Sequence, residues 1–208
     1  MDKHFDLYLN ELIAWNKKFN LTAITDPDEI RQKHFADSLL LLDIVKLTDQ
    51  AAVDVGAGAG FPGLPLKIAC PGIKLTLVEA TKKKVAFLDH IIKLLGLNDC
   101  AAVWSRAEDY AAEHREKFDL AVARAVAPLA TLCEYCLPLV KVGGLFAAYK
   151  EVAVEPEIAA AAGAITKLGG RLKEVKKFPQ RSLVLIDKVA ATPLGFPRRA
   201  GIAKKKPL

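Results

Sequence analysis

The chain has 208 residues; hydrophobic residues make up 52% of it, and Lys plus Arg outnumber Asp plus Glu by 30 to 24, a formal net charge of +6. That much apolar material can fill a core and excludes a disordered chain. The apolar runs are broken by Lys, Asp or Gly well short of a membrane span, and Asp2, Lys3, Asp6 and Glu11 do not fit a signal peptide, so a cytoplasmic protein is expected.

Residues 2–18 carry Phe5, Leu9, Leu12 and Ile13, followed by Phe19, near helical spacing, which predicts an amphipathic helix broken by Asn20-Leu21-Thr22. Asp26-Pro27-Asp28-Glu29 reads as a helix start, and one or two short helices are expected over 28–45. Apolar strands and helices then alternate. Strands are expected at 51–55, 74–79, 101–105, 118–123, 144–149 and 182–188, with helices at 62–70, 82–96, 128–140 and 155–168. This alternation predicts βαβ units and a parallel sheet covered on both faces. Arg171–Phe178 and Ser182–Lys188 are separated only by Pro179-Gln180-Arg181, so they should form a hairpin, with the last strand antiparallel to its neighbour. The Pro/Arg/Lys-rich stretch after Ala191 looks like a linker.

Cys133-x-x-Cys136 lies inside an apolar helix, and Cys70 and Cys100 stand apart. With His4, His34, His90 and His114 scattered singly, reduced structural thiols are expected and no metal site. Two basic clusters stand out: Lys82-Lys83-Lys84, and the tail from Pro197-Arg198-Arg199 to Lys204-Lys205-Lys206. Such clusters attract phosphate backbones.

The chemistry concentrates in Val53 to Gly63. Gly58-Ala59-Gly60-Phe61-Pro62-Gly63 matches the dinucleotide fingerprint G-x-G-x-x-G, but that fingerprint should begin where the strand stops. The strand stops at Val55. The pattern therefore starts at Asp54-Val55-Gly56 and continues through Gly58 and Gly60, which resembles the first motif of S-adenosylmethionine (SAM) methyltransferases. A sulfonium cofactor has no pyrophosphate to seat on a helix N-terminus, and its cationic groups favour a nearby carboxylate such as Asp54. No Tyr-x-x-x-Lys pair supports a dehydrogenase.

Glu79 ends the second strand, where an acid can accept from both ribose hydroxyls. Ala107-Glu108 follow the third strand, where the adenine amine wants an acceptor; Glu108 would otherwise support the first turn of a short helix. Arg124 ends the fourth strand. It can bind substrate phosphate, orient a base, or pair with Asp119. The position after it reads Ala125-Val126-Ala127-Pro128, not the Asn/Asp-Pro-Pro-aromatic loop used to methylate exocyclic amines, and the Cys133 and Cys136 thiols lie too far into the next helix to attack a pyrimidine ring. Guanine N7 needs neither device: its lone pair attacks directly and no proton is lost, so positioning and electrostatics suffice. An Arg near guanine suits this, because N7 and O6 accept a bidentate fork.

Taken together, Trp15-Asn16-Lys17 with Asn20-Leu21-Thr22, Lys33-His34-Phe35-Ala36-Asp37-Ser38, the glycine loop extended through Phe61-Pro62-Gly63-Leu64-Pro65, Ser105-Arg106-Ala107-Glu108, Val122-Ala123-Arg124-Ala125, Tyr149-Lys150 and Pro197-Arg198-Arg199-Ala200-Gly201 resemble the RsmG (GidB) family of bacterial 16S rRNA guanine-N7 methyltransferases. The resemblance covers nearly the whole chain. It implies an α/β class I SAM-dependent methyltransferase (Rossmann-like) fold, mostly parallel and seven-stranded, ending in an antiparallel hairpin strand. It also implies SAM as cofactor and 16S rRNA, in the small ribosomal subunit or an assembly intermediate, as partner, with no membrane and a monomer.

The organisation expected is an N-terminal helical module (1–46), a SAM-binding domain (47–190) and a basic C-terminal tail (191–208). By the same resemblance cofactor contacts fall on Gly56, Phe61, Ala107, Glu108 and Arg124, with Glu79 as the ribose acid. His34, Asp37 and Ser38 face the cleft, the alternative being that Asp37 or Ser38 only caps a helix with His34 packed beneath it, and Lys150, Arg181, Arg198 and Arg199 contact RNA. Family members often carry roughly one more helix ahead of residue 2, so an altered RNA grip is expected here. The alternatives are a SAM methyltransferase acting on another RNA, a small molecule or a protein, and an RNA-binding module with a decayed cofactor site. The intact Asp54, Gly56, Gly58, Gly60 and Glu79 disfavour the last.

Overall fold

The structure, a computed structural model, describes residues 3–208, so the expected helix start at residue 2 lies outside the described residues. Helix α1 (Lys3–Asn16) buries Phe5, Tyr8, Leu9 and Leu12, a stripe at three- and four-residue spacing. Asn16 ends it by turning the chain back: its side-chain oxygen accepts the Leu21 and Thr22 amides at 2.8 and 3.0 Å, and its amide donates to the Thr22 carbonyl at 2.9 Å.

Asp26 caps α2 (Pro27–Ile30) by accepting the Glu29 amide at 2.9 Å, with Pro27 in the first turn. The chain then changes pitch repeatedly instead of forming one helix. Arg31–Ala36 widens to a π-helical turn, in which the Asp37 amide reaches the Gln32 carbonyl five residues back. It tightens again through α3 (Asp37–Leu39) and a 3₁₀ turn at Leu40–Asp43.

The remainder is a seven-stranded sheet in the order β3-β2-β1-β4-β5-β7-β6. The strands are β1 (Ala51–Val55), β2 (Lys74–Glu79), β3 (Cys100–Trp104), β4 (Phe118–Arg124), β5 (Val140–Lys150), β6 (Gly170–Phe178) and β7 (Arg181–Lys188). The first five run parallel. β7 inserts antiparallel between β5 and β6, as the short connection after Phe178 predicts. Helices α4 (Gly63–Ala69), α5 (Lys82–Leu94), α7 (Leu129–Cys136) and α8 (Glu155–Lys167) connect the strands. Cys133 and Cys136 are buried free thiols in α7.

Two apolar cores lie on opposite faces. One joins α1 and the residues after it to Leu64, Leu66, Phe87, Leu88 and the Leu75 and Leu77 side of the sheet. The other joins Val53, Val55, Ala121 and Phe146 to α7 and α8.

Three features depart from expectation. Helix α7 ends at Cys136, because β5 begins at Val140 and not near 144. Residues Ala107–Glu113 form a short helix, α6, outside the four helices expected from spacing but with Glu108 in its first turn, as the alternative for that residue has it. The stretch after Ala191 is packed: Thr192 and Ala203 are buried, and Ile202–Lys205 form α9. No helix among the described residues is long and apolar enough to cross a membrane.

Candidate active site

Consecutive strands run outward from β1 on one side, while β4 leads the other way. Strand order thus reverses at the β1–β4 boundary, where open α/β sheets leave a crevice beyond the carboxyl ends of their strands. A cavity of about 780 Å³ lies there, lined among others by His34, Asp37, Gly56, Gly58, Phe61, Glu79, Ala107, Glu108, Arg124 and Arg181.

The glycine turn shapes its floor. Gly56 has φ +74°, and a Cβ there would sit 2.6 Å from a Val126 methyl. The Gly56 and Ala57 amides both bond to the Val78 carbonyl, at 2.8 and 3.1 Å, so the turn is stapled to β2. Glu79 completes the staple, accepting the Gly58 amide at 3.0 Å on one oxygen and the Thr81 amide at 2.8 Å on the other. Each carboxylate oxygen retains acceptor capacity toward the cavity.

Asp54 and Gly60 sit behind this floor and are not among the lining residues. One Asp54 oxygen accepts the Gly63 amide at 2.8 Å at the start of α4, while the other is buried with no partner. Burial pushes the Asp54 carboxyl up to about 7, against the opposing pull of the Gly63 amide and the Arg124 charge. Gly60 lies against Leu64 and the Tyr8 hydroxyl, which donates to the Ala59 carbonyl.

On the opposite wall Asp37, nearly fully buried, holds two guanidinium groups. It accepts from Arg124 at 2.7 Å with one oxygen and from Arg181 with the other. Arg124 therefore pairs with Asp37 and not with Asp119, whose carboxylate is taken by Lys141 and by the Ala51 amide at 2.8 Å. The Arg124 guanidinium also lies over the Phe61 ring at 4.9 Å and 3.3 Å from His34 Nδ1. His34 stacks on Phe61 at 4.6 Å, and its other nitrogen lies 2.7 Å from the Thr22 hydroxyl. Burial and the Arg124 charge push the imidazole down to about 4, so it is neutral at pH 7. Ser38 is buried away from the cavity, its hydroxyl donating to the His34 carbonyl at 2.6 Å, while its own carbonyl accepts from Tyr149.

The basic residues singled out in the sequence are not alike. Arg181 lines the cavity and Arg199 is exposed. Lys150 is largely buried, 2.7 Å from Glu157 and 3.1 Å from the Ala127 carbonyl. Arg198 gives its amide and a two-pronged guanidinium contact to Glu134, a fully buried acid on α7. Glu108 accepts the Gly201 amide at 2.7 Å and so ties α6 to the C-terminal segment. This brings Lys204 to the cavity wall, a contact the sequence reading lacks.

The family model for rRNA small subunit methyltransferase G (GidB) matches residues 1–185. A protein of that name from Pelotomaculum thermopropionicum is 49% identical, covering 99% of this chain and 90% of its own, and one from Desulforamulus reducens is 48% identical over 98% and 89%. Among solved structures, a SAM-dependent methyltransferase from Aquifex aeolicus aligns with TM-score 0.60 at 17% identity over 85% of this chain and 98% of its own. A ribosomal protein L11 methylase from Lactobacillus delbrueckii subsp. bulgaricus aligns with TM-score 0.61 at 17% identity, over 76% and 79%. Those two likenesses establish the class I methyltransferase fold, and the near-full-length relatives go further: the chain belongs to the rRNA small subunit methyltransferase G (GidB) family.

Proposed function

We propose that the chain methylates guanine N7 in bacterial 16S rRNA with SAM as methyl donor, as a cytoplasmic monomer acting on the small ribosomal subunit or an assembly intermediate. One observation carries the reading: a single opening joins the glycine turn and Glu79 to the two arginines that Asp37 holds.

The residues fit the cofactor. The cavity volume of about 780 Å³ suits a nucleoside-sized ligand. Gly56 and Gly58 offer bare backbone where a Cβ at Gly56 would foul the opposite loop. Glu79 is pre-oriented by two backbone amides and would take the ribose hydroxyls. Ala107 and Glu108 would border the adenine, and Phe61 and Arg124 the methyl-bearing end. Asp54, behind the turn, would act through the start of α4 and its charge, and Gly60 through the shape of the loop.

When bound, SAM supplies an electrophilic methyl carbon, and transfer to a ring nitrogen with a free lone pair leaves no proton to remove. The protein's task is therefore placement and electrostatics. Arg124 and Arg181 are held rigid by Asp37, so their donors can meet guanine O6 or a phosphate without first reorganising. A guanidinium directed at O6 alone leaves N7 free, whereas the bidentate fork to N7 and O6 expected from the sequence would occupy the lone pair that must attack. His34, neutral at pH 7, is a hydrogen-bonding partner and not an acid. Ser38 sets the helical turn that carries His34. Arg199 and Lys204 would face the RNA backbone, while Lys150 and Arg198 would brace the site's wall from inside.

Methyl transfer from labelled SAM to unmodified 30S subunits and to naked 16S rRNA, with the modified base mapped, tests the proposal. Label at guanine N7 is expected; SAM-binding protein that labels neither RNA overturns it.

A further inference from the structure

Trp104 is the last residue of β3, the outermost strand at that side of the sheet, and it is 61% exposed. A single exposed apolar residue is ordinary, but the setting of this one is not. The indole N–H donates to the Ala80 carbonyl at 2.9 Å, so the ring's polar atom is satisfied and its orientation fixed. The Lys82 ammonium stands 5.4 Å from the ring centroid. Lys83 lies 5.4 Å from the Phe19 ring, a second cation–aromatic pair on the same helix start. Among the described residues, Lys82, Lys83 and Lys84 have no carboxylate within ion-pair distance.

Position gives the cluster its meaning. Ser105, Arg106 and Ala107, the three residues after Trp104, line the cavity, as do Ala80 and Lys84, but Trp104 does not. The indole is thus a shelf outside the cofactor pocket, flanked by cations that run to the pocket's lip. A protein partner would find this patch poor, because interface centres are depleted in lysine. Single-stranded RNA fits it: each base has a π-face to stack, and each phosphate a charge to neutralise.

The geometry points to Trp104, Lys82 and Lys83 as a stacking platform that receives an unpaired base of the rRNA strand flanking the methylated nucleotide. This rests on the rRNA reading above. Trp104 on this view is a substrate-binding residue that leaves the methyl-transfer machinery untouched.

Two measurements test it. In the first, Trp104→Ala should raise the KM for 30S subunits about tenfold, with kcat and SAM affinity within about twofold of wild type. Trp104→Phe should recover most of the loss, and Lys82→Ala should lower the salt slope of RNA binding by about one. An unchanged KM overturns the platform, and so does a parallel loss of SAM affinity, which would put Trp104 in the cofactor site.

The second uses tryptophan emission. The chain has only two tryptophans, so Trp15→Phe leaves Trp104 as sole reporter. A short unstructured oligoribonucleotide should quench it more strongly than the same sequence in a duplex. No quenching at saturating RNA overturns the platform. Quenching by small-subunit ribosomal proteins but not by RNA overturns it in favour of a protein partner. If wild type labels no RNA, the rRNA reading fails separately, and the emission measurement still decides the platform.

Discussion

Asp37 and Arg124 are 87 residues apart in the chain, yet a carboxylate and a guanidinium with 1% and 8% of their side chains exposed meet at 2.7 Å. Arg181 shares the same carboxylate. Removing the anion leaves two cations facing each other with little water between them, and breaking a buried pair in this way typically costs about 3 kcal/mol or more. Asp37→Asn is therefore expected to lower unfolding free energy by about 3 kcal/mol. It should also cut kcat by about a hundredfold by freeing the guanidinium positions. Urea denaturation with steady-state kinetics measures both, and loss of stability without loss of kcat would show that the pair is structural only.

Asp54 gives the apoprotein an unusual pH response. Its folded pKa is raised from 3.8 to about 7, so its contribution to stability is fully present below 3.8 and fades as pH rises toward 7. Asp54→Asn cannot ionise. The stability of the variant relative to wild type should climb between about pH 4 and pH 7 and level off above that. Denaturant melts across the range measure it. A flat difference would mean that water reaches the unpartnered oxygen.

His34 acts in the opposite sense. Its folded pKa is depressed from 6.5 to about 4, so its contribution is present above 6.5 and is lost as pH falls toward 4. Imidazole proton resonances assigned by comparison with His34→Gln should titrate near 4. A midpoint near 6.5 would remove the neutral partner assigned to it.

Gly56 and Gly143 both have positive φ, but a Cβ meets Val126 at 2.6 Å at Gly56 and nothing within 4 Å at Gly143. Gly143→Ala should cost only backbone strain, about 1 kcal/mol, with SAM affinity unchanged. Gly56→Ala adds the clash on the cavity floor, and SAM affinity by calorimetry should fall at least about tenfold.

Glu134 is fully buried and holds both the amide and the guanidinium of Arg198. Glu134→Gln weakens a charge-assisted contact and should cost about 2 kcal/mol. The C-terminal segment should loosen first. Trypsin cleavage after Arg198 or Arg199 is expected to accelerate before the sheet domain is cut.

The sequence reads most clearly where its signals are local. The strand end at Val55, the turn at Gly56, the acid at Glu79 and the hairpin after Phe178 each follow from a few adjacent residues. The Asp37 pairings with Arg124 and Arg181 span 87 and 144 residues, and nothing near any of the three announces the others. The stretch after Ala191 looked like a linker from its Pro, Arg and Lys content. It is held by Glu108, by the Arg115 guanidinium and by Glu134; the last is a lone acid in the otherwise uncharged helix Leu129–Cys136, and that misfit is a local sign of the packing. Helix α6 has only seven residues, too few for periodicity to show.

Tyr8 changes what an intact motif means. Its hydroxyl supplies the donor for the Ala59 carbonyl, and its ring stacks on Phe61 at 5.5 Å, so the glycine loop takes part of its shape from a helix that contributes no residue to the cavity. A related chain could keep Gly56, Gly58 and Gly60 unchanged and, by losing one aromatic hydroxyl some fifty positions upstream, hold the same letters in a different curve.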